Sequence, residues 1–292
     1  MTSKFNAYDH VTNTIIDLMD QHGTGWVKPW ASTGGNGLQI SAESGKAYRG
    51  INQLLLLCSD FGDHRWATYK AWQRMGAQVR KGEKGTSILF FKPLEITDKH
   101  TGEDKTIPMA RVYTVFNAEQ VDGAEPLPIA DLPNEAERLA AVEAFVSATG
   151  ASIRHGQSGA FYSPTIDYVG MPDREAFTGS EHSTATECYY STLLHELPHW
   201  TGHSARLNRD QSNRFGDQTY AFEELVAELG AAFACAALGI SNEPRADHAQ
   251  YLAHWRAVLK KDNRAIIKAA KLAQQAYEYL EGTEQSTTEQ AA

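Results

Sequence analysis

His195, Glu196 and His199 place two histidines four residues apart with a glutamate between them. Positions i and i+4 share one face of a helix, so both imidazoles can reach one metal ion. The glutamate beside them need not bind it. From there it can take a proton from an attacking water and later pass it to a leaving amine, the chemistry of metal-assisted amide hydrolysis. A catalytic site of this kind keeps three protein ligands and one open position. The run 221–233 (AFEELVAELGAAF) can supply the third. Glu224 and Glu228 share a helical face there among Leu225, Val226, Leu229 and Phe233. Their partial burial would be costly unless a metal or its ligands offset it. We assign Glu224 as the third ligand and Glu228 as the acceptor that orients a ligand histidine. The reverse assignment and Glu223 stay open. The plainer alternatives are two unrelated histidines on one helix and solvated acids on the next.

His203 is the rival third ligand. The run 199–203 (HWTGH) approaches the metzincin pattern, but that pattern needs a histidine three residues beyond the glycine, where Ala205 stands. His203 therefore reads as a residue behind the ligands or as a structural one. Pro198 lies inside the motif, where a proline removes one helical hydrogen bond at a cost of about 3 kcal/mol. Either the helix kinks there or the ligands hold it.

The spacing of apolar residues predicts the elements that carry this site. Residues 134–149 and 184–201 read as helices, with Gly150 and Gly202 as stops. Residues 152–154, 160–163 and 165–169 read as short strands, and Tyr168 and Val169 are expected on an edge strand that aligns a substrate. Residues 172–178 read as a loop. Ahead of these, 5–22, 49–59 and 68–75 read as helices, and 78–91 as a hairpin turning at Gly82 to Gly85. Residues 107–116 read as a strand after a polar turn at 98–105, and 32–37 as a loop. The chain is expected to be α+β.

Charge divides the chain. Its 292 residues carry a formal net charge of −9, against a wholly basic nucleic-acid binder. Residues 1–125 hold 14 basic and 14 acidic residues, so all the acidic excess lies beyond them. Residues 46–92 hold nine basic residues and three acidic ones. This segment also carries Trp66, Tyr69, Trp72, Phe90 and Phe91, with Trp26, Trp30 and Tyr48 nearby. Cations neutralise phosphates and aromatic faces stack on unpaired bases, so the mixture suits single-stranded DNA better than duplex. The candidate contacts are Lys46, Tyr48, Arg49, Trp66, Lys70, Trp72, Arg74, Arg80, Lys81 and Lys84. Buried tryptophans and a solvated basic hairpin are the ordinary alternative. The proline-containing run 121–133 is the linker candidate. The expected division is 1–125, a linker at 126–133, a second domain at 134–281 and a disordered tail at 282–292. No run of about 18 apolar residues and no signal pattern is present, and the three cysteines do not form a disulfide framework, so a cytoplasmic protein with no membrane contact is expected.

These residues resemble a known family. Trp26, Pro29, Trp30 and the runs 45–52 (GKAYRGIN), 66–70 (WATYK) and 76–85 (GAQVRKGEKG) match the front half of the ArdC family of plasmid antirestriction proteins. They are also similar to the N-terminal region of TraC-type conjugative primases. Tyr162, Asp167, Pro172, Tyr189, Tyr190, the run 195–203, Arg206, Arg209 and the run 220–233 match the back half. The resemblance implies a single-stranded DNA-binding domain joined to a zincin-like metallopeptidase domain that protects incoming plasmid DNA during conjugation. The gluzincin pattern within it maps onto Glu224 and Glu228. It implies zinc, or alternatively manganese, as the metal. The protein substrate stays unnamed, with a host restriction or replication protein as candidates. Pro198 departs from the pattern, and bears on catalysis more than on metal binding. A non-enzymatic DNA shield with a structural metal and a primase-associated DNA-binding protein are the competing readings.

Overall fold

The computed structural model describes residues 6–21, 37–59, 61–97, 104–125, 135–180, 183–211, 218–240 and 248–291. Trp26, Trp30 and residues 126–133 of the expected linker lie outside them, as do most of the loop at 32–37 and of the turn at 98–105. The front half opens with helix α1 (Ala7–Gln21), which buries Val11, Ile15 and Met19 along one stripe. There follow β1 (Ile40–Ser41), α2 (Ile51–Leu57), β2 (Arg65–Thr68), α3 (Tyr69–Arg74), β3 (Gln78–Val79), β4 (Thr86–Thr97), β5 (Asp104–Asn117) and β6 (Val121–Asp122). The main sheet has the order β1-β2-β5-β4, parallel between β1 and β2 and antiparallel elsewhere.

The hairpin expected across 78–91 does not form. β3 pairs with β6 in a separate two-stranded sheet, and β4 pairs with β5 from Thr86↔Val115 to Thr97↔Asp104. The run 82–85 crosses from one sheet to the other. Gly85 is pressed so closely on β5 that a Cβ there would lie 2.4 Å from Thr114 Cγ2. The buried Gln120 side chain donates to the Lys84 carbonyl at 2.9 Å and holds the crossing in place. Gly85 therefore serves a close approach, while Gly82, at φ 92° with open space about it, serves a local turn in which the Glu83 amide donates to the Arg80 carbonyl at 3.3 Å.

The back half runs α4 (Glu135–Ala148), β7 (Ile153–Arg154), β8 (Phe161–Ser163), β9 (Tyr168–Gly170), α5 (Ala185–Thr201), α6 (Gln218–Leu238), α7 (His248–Lys261) and α8 (Ala265–Ala291). Its small sheet has the order β7-β9-β8. Tyr168 and Val169 thus lie on the central strand, not on an edge. β9 is paired on both sides, with β7 and β8 at the edges. Helix α8 continues to Ala291 through residues expected to be a disordered tail. That run mixes glutamate and glutamine with Gly282 and three threonines, so it prolongs a helix already nucleated and packed further back.

One apolar core spans both halves. Val11, Ile15, Leu54 and Leu57 belong to the same cluster as Phe145, Leu194, Phe233, Trp255, Ile266 and Leu280. Alanines 269, 270, 273 and 276 on α8 are fully buried and let neighbouring helices approach closely. Polar contacts join the halves as well. The Gly50 amide donates to Gln274 Oε1 at 2.9 Å, Thr12 Oγ1 donates to the Asn263 carbonyl at 2.8 Å, and Arg49 pairs with Glu278. No helix among the described residues is long and apolar enough to cross a membrane.

Candidate metal centre

Helix α5 begins in a capping box. The Thr184 hydroxyl accepts from the Glu187 amide at 3.2 Å, and Glu187 Oε2 accepts from the Thr184 amide at 3.0 Å. Three turns on, the helix presents His195 and His199 to α6. His195 Nε2 lies 3.6 Å from Glu224 Oε2, and His199 Nε2 lies 3.5 Å from Glu224 Oε1. Ligand atoms about 2.1 Å from a tetrahedral ion sit about 3.4 Å apart, so these separations match donors arranged around one cation. Two imidazoles and a carboxylate also form a suitable donor set, with all three ligand atoms within 4.8 Å of one another. Burial alone would raise the Glu224 carboxyl, but the neighbouring His199 and His195 outweigh it and hold it at about 2. Glu224 is thus a carboxylate well below neutral pH, as a ligand must be.

Behind each histidine stands a carboxylate. Glu228 is fully buried, and its Oε1 lies 3.0 Å from His195 Nδ1. A carboxylate so placed would favour the tautomer that presents Nε2 to a bound metal. Glu223 Oε1 lies 3.4 Å from His199 Nδ1 and plays the matching part. A loop in turn holds Glu223. Arg209 donates to it through Nη2 at 2.8 Å and Nε at 3.1 Å, while Gln211 Nε2 donates to the His199 carbonyl at 2.6 Å. Gly202 makes room for this return, since a Cβ there would lie 2.4 Å from Gln211 Nε2. Burial pushes the Glu223 carboxyl up, but His199 and Arg209 bring it below its ordinary value. Glu196 is buried on the same turn as the two histidines.

Pro198 has a packing partner. A Cβ at Gly230 of α6 would lie 2.9 Å from Pro198 Cγ, so the pyrrolidine ring rests on bare backbone where the two helices meet. Helix α5 continues through the proline to Thr201. His203 serves the following turn, where its Nδ1 accepts from the Ala205 amide at 3.2 Å. A further cluster ties this turn to the sheet. Arg206 forks onto Asp167, to which the Tyr162 hydroxyl also donates at 2.8 Å, and its guanidinium stacks 3.9 Å from the Trp200 ring centroid.

The expected DNA contacts divide by exposure. Trp66 is fully buried, with Nε1 donating to Gln39 Oε1 at 2.6 Å, and Trp72 is buried, with Nε1 donating to the Phe116 carbonyl at 3.0 Å. Neither can offer a face to a base, because both fill small cores under the sheets. Tyr48 is half-buried beside Trp66, and its hydroxyl donates to the Trp66 carbonyl. Arg49, Arg74 and Arg80 are exposed but paired, with Glu278, Glu43 and Glu83. Lys46, Lys70, Lys81 and Lys84 are exposed.

Comparisons with known proteins match this architecture. A family model of the N-terminal domain of the anti-restriction factor ArdC matches residues 5–116, and one of a zincin-like metallopeptidase matches 140–272. The crystal structure of the antirestriction ArdC protein from plasmid R388, metal-free, superposes with a TM-score of 0.77 at 38% identity. That match covers 97% of this chain and 99% of the other. The chain belongs to the ArdC family. The Mn(II)-bound structure of the R388 ArdC protein superposes with a TM-score of 0.75, over 96% of this chain and 98% of that one. An uncharacterised protein of Sinorhizobium fredii, y4eC, is 40% identical over 94% of this ArdC-family chain and 91% of its own length. The DNA primase TraC of Escherichia coli is 37% identical over 97% of the chain, which spans only 28% of that primase.

Proposed function

We propose that this chain binds single-stranded DNA through its front half, carries a metal-dependent peptidase site in its back half, and protects incoming plasmid DNA from host restriction. The juxtaposition of His195, His199 and Glu224, backed by Glu228 and Glu223, carries the peptidase part. These three residues would hold zinc or manganese, and the manganese-bound ArdC of R388 supports the second metal. A divalent cation there supplies Lewis-acid polarisation of a carbonyl and acidifies a water. The chain's own groups do the rest. Glu228 and Glu223 orient the imidazoles, and Glu196 takes the proton from the attacking water and returns it to the leaving amine. The partners are single-stranded DNA and a protein substrate, with restriction and replication proteins as the candidates.

The test is Glu196→Gln. The variant is expected to keep metal and DNA binding and to lose cleavage of candidate substrates. Cleavage equal to the parent's refutes the assigned base. Antirestriction that persists undiminished in the variant refutes the peptidase role and leaves a DNA shield.

A further inference from the structure

Cross-strand partners in an antiparallel pair point to the same face. On one face of the β4–β5 ribbon the partners are Thr86↔Val115, Ile88↔Tyr113, Phe90↔Arg111 and Lys92↔Met109. At the near end of this face Ile88 and Val115 are buried against Leu56 and Trp66. Further along the character reverses. Phe90 is 53% exposed and Tyr113 43%, although both are large aromatics on a regular sheet. Their rings meet edge to face, with centroids 5.8 Å apart at 83°. That contact uses one edge and one face, and leaves the other ring faces outside the pair. Arg111 stands directly opposite Phe90, and Lys92 lies two residues beyond it, about 6.8 Å along the strand. Both cations are exposed, and none of the eight residues on this face is acidic. The opposite face is backed by the shared core through Leu89, Ala110 and Val112, so the ribbon holds this surface in place.

We infer that Phe90, Tyr113, Arg111 and Lys92 form a stacking platform for unpaired bases of single-stranded DNA, an inference that rests on the single-strand reading above. Flat apolar rings flanked by cations complement a chain of flat bases joined by phosphates. The faces of bases in a duplex are hidden, so duplex DNA gains only the charge contribution. The platform takes over the stacking role that Trp66 and Trp72, both in the core, cannot fill.

The experiment measures binding of the full chain to a fluorescent 15-nucleotide oligo-dT, and to a duplex of equal length, by anisotropy over a range of salt. Phe90→Leu and Tyr113→Leu keep apolar bulk and remove the π-face. Each is expected to weaken single-strand binding about tenfold and to leave duplex binding unchanged. Phe90→Tyr is expected to bind as the parent does. Arg111→Gln is expected to lower the salt slope by about 0.7 for single strands. If the parent does not bind oligo-dT, the single-strand reading itself fails. If the parent binds and both leucine variants bind equally well, the platform is refuted and that reading stands. Melting and metal uptake check the fold of each variant. Should a variant fail to fold, photo-crosslinking the parent to bromodeoxyuridine-substituted oligonucleotide decides, with adducts on Phe90 or Tyr113 expected and adducts confined elsewhere overturning the proposal. A self-associated parent that Phe90→Leu turns monomeric would also overturn it, assigning the face to a second copy.

Discussion

Replacing Glu228 by alanine isolates the residue behind the metal ligands. Its carboxylate lies 3.0 Å from His195 Nδ1 and is fully buried, so water cannot readily substitute for it. Removing the outer partner of a metal-ligating histidine typically costs about 10- to 100-fold in metal affinity. At a factor of ten per 1.4 kcal/mol, that is about 1.4–2.8 kcal/mol of binding free energy. The loss also appears in thermal unfolding. Metal at 100 times its dissociation constant stabilises a folded protein by about 2.7 kcal/mol. At the same metal concentration, a 30-fold weaker site yields about 0.9 kcal/mol. The expected result is a metal-dependent rise in Tm that is large for the parent and small for Glu228→Ala. Competition with a chromophoric chelator gives the affinity directly. Glu228→Gln keeps an acceptor oxygen and falls between the two. Parent-like metal affinity in Glu228→Ala would refute the orienting role.

Three other perturbations follow. Gly230→Ala forces a methyl group against Pro198 and is expected to destabilise the fold by about 1–3 kcal/mol in a denaturant melt, and by less when combined with Pro198→Ala; equal costs in both backgrounds would dissociate the glycine from the proline. Arg209→Ala leaves Glu223 buried without its main partner and is expected to cost about 3–5 kcal/mol, with Glu223→Gln on top restoring part of it. Arg206 hydrogen bonds hold the Asp167 carboxyl below its ordinary value, so that pair stabilises the fold above about pH 4 and its contribution is lost as pH falls through the lowered folded value. Asp167→Asn, which tolerates the positive φ of 49° at this position, should therefore narrow its stability gap to the parent as pH drops from 5 to 2. A gap that widens contradicts the sign.

The candidate ligand cluster was legible in part, because helical spacing alone puts His195 with His199 and Glu224 with Glu228. Glu223 was harder to place. It precedes the ligand by one residue, and its role depends on Arg209 and Gln211 returning across Gly202, a tertiary event with no periodic trace. The helices of the front half were legible from their apolar spacing. The pairing of β3 with β6 was not, because Val79 and Val121 lie 42 positions apart and the glycines at 82 and 85 suit a crossing as well as a turn. Trp66 and Trp72 show the limit of composition. A tryptophan among lysines reads as a stacking surface until a buried Gln39 or a strand carbonyl is seen accepting its N–H.

The core that joins α1 and α2 to α8 has a consequence for encounter rates. Two units on a flexible tether meet a common target at an effective concentration set by the length and stiffness of that tether. Here packed helices fix the separation, and lengthening the segment 126–133 would not change it. Under the proposed function, a protein carried on a strand bound to the front half would meet helix α5 at one bearing and one distance. Selectivity among such proteins would then follow from where they sit along the strand, before any side chain of theirs is read.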